Sequence, residues 1–310
     1  MKMTGITREE KIYVLYASQT GNSEQAAKDF CSQVPTKLSP EAIQQLTRKN
    51  NDNSGGGSNN NNNSSENNTM RNEQRITVIP VGPMQMDDFL ELHGAPWTRI
   101  TILFTSSYGV GQAPLGGYRF RELCDAWMDL DDDDDDDDDG DGKDNKTDQR
   151  HPLRGLSYAL CGLGDSKYTT YFQNPTRIDE AMRRVGAKRI GTVGKANASG
   201  TGENEQGLVI QRWMEDVWEP LAAAIVSGGG DDDDDDDDDD DSNNNDDTTQ
   251  QQQKQQQQQQ RLANARASTV ALCRKINPDF MPEPTKPRYQ LVSVLLVLVA
   301  VLVAFYLQNK

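Results

Sequence analysis

The apolar positions of this 310-residue chain fall into short runs separated by longer mixed stretches. Residues 12–16, 76–81, 100–105, 156–161 and 189–193 form runs of strand length. Between and after them, residues 23–33, 86–93, 115–130, 176–185 and 205–225 read as helices. This alternation predicts an α/β domain, a doubly wound five-stranded parallel sheet covered by helices on both faces.

Low-complexity tracts interrupt the alternation. Asn, Ser and Gly dominate residues 50–72, Asp and other polar residues fill 131–149, and Gly, Asp, Asn and Gln continue from 228 to about 260. Such sequence cannot bury enough apolar surface to offset the entropy of ordering, so disorder is expected. The chain then divides into a tail (1–9), the domain (10–227) and a disordered acidic and Gln-rich linker (228–288). Leu262, Val270, Cys273 and Ile276 would lie loosely on one side of a short helix over 261–276, a segment read here as linker. The two inserts inside the domain occupy helix-to-strand loops. Ligands of open α/β sheets bind at the other edge, so the inserts lengthen the side that does not bind.

Composition narrows the partners. Two aspartate runs, 131–139 and 231–241, account for more than the whole net charge of −17. No basic cluster stands out, which argues against nucleic acid. Four scattered cysteines and two histidines, His93 and His151, offer no zinc-ligand spacing. The polar N-terminus lacks the apolar stretch of a secretory signal. Residues 291–307 are apolar and uncharged, flanked by Tyr289, Lys286 and Arg288. At the helical rise they would span about 26 Å, so a transmembrane tail anchor over 289–307 is expected, followed by a short tail (308–310). This places the domain in the cytosol, on the endoplasmic reticulum or, alternatively, on the mitochondrial outer membrane.

The chemistry lies in the strand-to-helix loops. The first reads Ser18, Gln19, Thr20, Gly21, Asn22, Ser23. A glycine turn with hydroxyls at a helix N-terminus can hold an anion through amides, although a Ser/Thr-rich helix cap has the same look. The loop has no Lys and does not end as a nucleoside-triphosphatase loop does. The third strand runs into Ser106, Ser107, Tyr108 and Gly109, and the fourth into Leu163, Gly164, Asp165, Ser166, Lys167, Tyr168, Thr169, Thr170, Tyr171 and Phe172. Two glycine–tyrosine loops beside a phosphate-type loop describe a flat aromatic ring between two tyrosines, its phosphate at the first helix.

The stretches SQTGNS, SSYGVG and GLGDSKYTTYF resemble the three FMN-binding loops of the flavodoxin family. The likeness is greatest to the FMN domains of diflavin reductases such as NADPH–cytochrome reductases and methionine synthase reductase. The resemblance implies strand order 2-1-3-4-5 and FMN as an electron-transfer cofactor. By position, residues 18–23 would hold the phosphate, Tyr108 and Tyr168 would flank the ring, and the backbone of Gly109 would lie near its N5. Asp165 and the rest of 163–172, with Ala198, would line its edge. Where the family often has acids after the fifth strand, this chain has Lys195, Ala196, Asn197, Ala198 and Ser199. In the family those acids are associated with flavin contact and partner docking, so this chain is expected to dock different partners or to dock weakly. Val110 and Gln112 replace acids common in the cytochrome reductases, and the less acidic rim this implies would soften repulsion of the reduced flavin and alter its redox tuning.

No FAD- or NADPH-binding module is recognisable after residue 228. Electrons are therefore expected from a separate NAD(P)H-dependent reductase, and a haem or metal protein is expected to accept them. Two alternatives remain: an NAD(P)H:quinone-type flavin oxidoreductase, and a flavin-free membrane adaptor.

Overall fold

The computed structural model describes residues 7–53, 75–130, 151–227 and 247–282. Its strands are β1 (Thr7–Tyr16), β2 (Arg75–Gln85), β3 (Ile100–Ser106), β4 (Ser157–Gly164), β5 (Lys188–Arg189) and β6 (Gly194–Asn197). The helices are α1 (Asn22–Lys37), α2 (Pro40–Asn53), α3 (Met86–Glu91), α4 (Tyr118–Met128), α5 (Gln173–Arg184), α6 (Gln206–Ser227) and α7 (Asp247–Ile276). All strand pairs are parallel, in the order β2-β1-β3-β4-β5, with β6 also on β4.

Side-chain alternation along the strands builds two cores. Ile12, Val14, Ile100, Ile102, Phe104, Ala159 and Cys161 face one way and pack against Phe30 of α1 and Trp213, Trp218 and Leu221 of α6. Leu15, Leu103, Tyr158 and Leu160 face the other way, toward Phe89 of α3, Phe120 and Trp127 of α4, and Met182 of α5. β3 and β4 are buried along almost their whole length, as central strands covered on both faces must be. That is why they read as continuous apolar runs.

Three expectations need correction. The fifth strand is not one run over 189–193 but two short pieces, β5 on Ser157 and Tyr158 and β6 on residues 161–164 of β4. Gly191, at φ +65°, lies in the break between them. Residues 195–197, read as loop, are thus strand.

The second correction concerns the linker, because part of 228–288 is helix α7, docked on the α3–α4 side of the domain. Its buried stripe is Ala265, Thr269 and Cys273, at i, i+4 and i+8. Trp97 Nε1 donates to Thr269 Oγ1 (3.0 Å), and Arg266 Nε donates to the Gly94 carbonyl (2.9 Å). Small side chains on that stripe let the helix approach closely but leave little apolar signal in the sequence. Thr269→Val keeps the shape and leaves the buried Trp97 N–H unpaired. A loss of about 1–3 kcal/mol in denaturant unfolding is expected.

Thirdly, the expected transmembrane helix is not found: no helix among the described residues is long and apolar enough to cross a membrane. Residues 289–307, where that span was expected, lie outside the described residues, as do most of the inserts expected at 50–72 and 131–149. Helix α2, which reaches into the first of these, had no counterpart in the sequence reading.

Candidate functional site

The loops after β1, β3 and β4 enclose a cleft of about 410 Å³ at the C-terminal edge of the sheet. The first loop is anchored where Ala17 N–H donates to Phe104 O and Ser18 N–H to Leu115 O. Gly21 then turns left-handed (φ 90°, ψ −12°) into α1, a conformation costing an L-residue about 1–2 kcal/mol. Its N–H is held by Ser18 Oγ at 3.0 Å. The first amides of α1 have no acceptor within the helix. Ser23 Oγ, beside them on the cleft, is buried and has no hydrogen-bond partner. An orphaned hydroxyl at a helix N-terminus is suited to an anion.

The ring-side half is built by the other two loops. Tyr108 and Gln112 exchange N–H···O bonds of 3.0 and 2.9 Å, closing a tight turn. Gly109 (φ 55°) and Gly111 (φ 87°) make that turn attainable. Thr170 Oγ1 donates to the Gly109 carbonyl at 3.1 Å, tying the second loop to the third. Tyr108 and Tyr168 are 47% and 63% exposed, which leaves ring surface at the cleft on which a flat ligand could stack.

Asp165, on the cleft, accepts hydrogen bonds from the Ser199 hydroxyl and from Lys167 N–H (3.0 Å). The Ser199 bond, then the Lys167 amide, hold its carboxyl below the usual carboxylate range. Asn197 Oδ1 accepts from Ser166 N–H (2.9 Å) and Ser199 N–H (3.1 Å). The segment KANAS, which lacks the family's acids, therefore clasps the 165–168 loop. A depressed carboxyl stabilises the folded clasp above the ordinary carboxylate pKa. That contribution is lost as pH falls through the lowered value. Ser199→Ala should raise the Asp165 pKa toward the ordinary value, as read by a carboxyl-carbon NMR titration.

Among the residues singled out from sequence, the cleft is lined by Gln19, Thr20, Asn22, Ser23, Ser106, Ser107, Tyr108, Gly109, Leu163, Gly164, Asp165, Tyr168, Thr170, Tyr171 and Ala198. The other six do not line it. Ser18 and Gly21 shape the first turn, and Ser166 is pinned by Asn197. Lys167 is exposed, and Thr169 lies on a neighbouring cleft with Arg121, Asp125 and Arg177. Phe172 is buried against Gly162, where a Cβ would meet its ring at 2.5 Å.

Gln206, missed in the sequence, also lines the cleft. Its Oε1 accepts from Asn22 Nδ2 at 3.0 Å. It stands 184 residues from that partner, and no local pattern marks it. Outside the cleft, His151 is exposed with Nδ1 3.2 Å from the Arg184 carbonyl. Among the described residues no group of three His, Cys, Asp or Glu could hold a metal.

A family model described as Flavodoxin matches residues 82–213. The match covers less than half of the chain and includes the second and third loops of the cleft. Over 145 residues it is 26% identical to the NADPH–cytochrome P450 reductase of Aspergillus fumigatus, covering 47% of this chain and 19% of that protein. Over 67 residues it is 37% identical to the bifunctional cytochrome P450/NADPH–P450 reductase of Bacillus cereus, covering 21% of this chain and 6% of that protein. With the Saccharomyces cerevisiae NADPH–cytochrome P450 reductase it shares 24% over 218 residues, 70% of this chain and 22% of that protein. The matched regions span about a fifth or less of these relatives. The oxidised flavodoxin 1 of Bacillus cereus is 17% identical, with a TM-score of 0.33, covering 70% of this chain and 98% of that one.

FMN is the cofactor that the likeness to flavodoxin supports, and the residues fit it. Ser23 Oγ and the free amides of α1 suit its phosphate, and the exposed rings of Tyr108 and Tyr168 suit the flat isoalloxazine. The first loop holds no lysine or arginine. None is required, because amides, hydroxyls and the helix dipole supply donors to a single phosphate.

Proposed function

We propose that this chain is an FMN-dependent electron carrier. In this reading it takes electrons from a separate NAD(P)H-dependent reductase and passes them to a haem or metal protein. The observation that carries the reading is the polarity of the cleft. One end is an uncharged donor cradle at α1, and the other is a pair of half-exposed tyrosines on loops tied together through Thr170 and Gly109.

Bound FMN supplies the redox chemistry, accepting and releasing electrons one or two at a time. The chain's own part is positional. The α1 cradle fixes the phosphate end, the Tyr108–Gln112 turn presents backbone to the ring, and the Ser199–Asp165 clasp holds the third loop. The reductases among the relatives support a haem protein as acceptor, since their names pair the same domain type with cytochrome P450.

The test is to purify the full chain, record its visible spectrum, and titrate it with FMN and then with dithionite under nitrogen. Bound yellow flavin that reduces and reoxidises reversibly is expected. A colourless protein that also refuses added FMN overturns the reading.

A further inference from the structure

Asn174 is not among the residues that line the cleft, yet it is completely buried directly behind it. Its side-chain amide donates to Thr105 Oγ1 (3.1 Å) and to the Ser106 carbonyl (3.0 Å). Its backbone N–H donates to Ser107 Oγ at 3.0 Å. Its side-chain oxygen accepts from Arg121 Nη1 at 3.0 Å. Arg121 in turn reaches Asp125 (3.1 Å), which also pairs with Arg177 at 2.8 Å.

One residue at the start of α5 therefore grips three consecutive residues at the end of β3. It is itself oriented by an ion network on α4 and α5. Ser107 N–H continues the tie to the Leu163 carbonyl, at the root of the third loop. The phosphate loop has no bond to Asn174, being anchored through Phe104 and Leu115 instead. The two ends of the cleft are held by separate sets of bonds.

We infer that Asn174 is the positioning residue of the ring-side half of the site. By holding residues 105–107 it sets where Tyr108 and the Gly109 backbone meet the flavin ring, while leaving the phosphate cradle unaffected. Both N–H groups of Nδ2 and the side-chain oxygen are used, so Asp cannot replace Asn: it would put an acceptor oxygen against the Ser106 carbonyl where Asn places a donor. The inference rests on the FMN reading proposed above.

The test compares FMN with riboflavin, which has the same ring and no phosphate, by quenching of flavin fluorescence on the full chain. In Asn174→Ala both dissociation constants should rise by the same factor, about tenfold or more for the loss of buried hydrogen bonds. In Ser23→Ala only FMN should weaken, because the hydroxyl serves the phosphate. Arg121→Gln, which leaves Asn174 in place without its charged partner, should give a smaller loss shared by both ligands. It decides the matter if Asn174→Ala does not fold.

Unchanged riboflavin binding in Asn174→Ala, or in Arg121→Gln where the first variant is unfolded, overturns the inference. So does a loss confined to FMN. Failure of the unaltered chain to bind either ligand would instead overturn the FMN reading itself, a distinct result seen before any variant is made.

Discussion

Replacing Tyr108 and Tyr168 together by alanine should weaken FMN binding more than any other change on the surface of this domain. Stacking a heteroaromatic ring on an aromatic side chain contributes about 1–3 kcal/mol, so two such contacts amount to about 2–6 kcal/mol. The dissociation constant should rise at least about thirtyfold. The folded protein should hardly notice, because both rings are about half exposed or more and substitutions at such positions change stability by about 0.5 kcal/mol or less. Fluorescence titration gives the first quantity and thermal melting of the flavin-free protein the second. Wild-type affinity in the double variant would mean that the ring does not lie between these tyrosines.

Arg99→Ala should produce the opposite pattern, a large loss of stability without a direct effect on the site. Arg99 is 3% exposed, and its guanidinium donates to the Ala224 carbonyl (2.7 Å), the Ile225 carbonyl (2.9 Å) and Glu10 Oε1 (3.2 Å). It thereby satisfies carbonyls at the end of α6 that no further helical turn can reach. Burial lowers its pKa, and the Glu10 charge opposes that shift. Removing one partner of a buried pair costs about 3–5 kcal/mol. Glu10 keeps a second partner, Arg8, at 2.7 Å, which places the loss toward the lower bound. For a domain of this size about 3 kcal/mol lowers the melting temperature by roughly 6–12 °C. Arg99→Lys should recover only part of this, since an ammonium cannot fork to three acceptors. A change below about 1 kcal/mol would show that solvent replaces the guanidinium at little cost.

The two results address different layers of the molecule, and those layers differ in how far the sequence exposes them. The sheet was legible because a parallel strand covered on both faces needs apolar residues at nearly every position, as in ITILFTS of β3. The three loops were legible because each follows its strand directly and carries its chemistry in consecutive residues. Local features of this kind survive in a one-dimensional reading.

What was missed is long-range or faintly patterned. Helix α7 docks through Ala265, Thr269 and Cys273, a stripe too small and too mildly apolar to distinguish it from the glutamine-rich sequence before it. The broken edge strand was misread because β5 and β6 are two and four residues long and draw their order from pairing with β4. The departure at KANAS looked like a loss of acids. Only its contact with the third loop shows that Asn197 and Ser199 form a clasp there.

The sequence by itself determined the parallel α/β sheet, the edge at which the cleft opens, and the loops that line it. It did so through strand-length apolar runs and contiguous turn chemistry. The tertiary structure alone decided which residues hold those loops in place: Asn174 behind the second, Asn197 and Ser199 on the third, Gln206 beside the first. Hydrogen bonds between residues 31 to 184 positions apart leave no periodicity and no local signature. They exist only once the sheet has brought their partners to one edge.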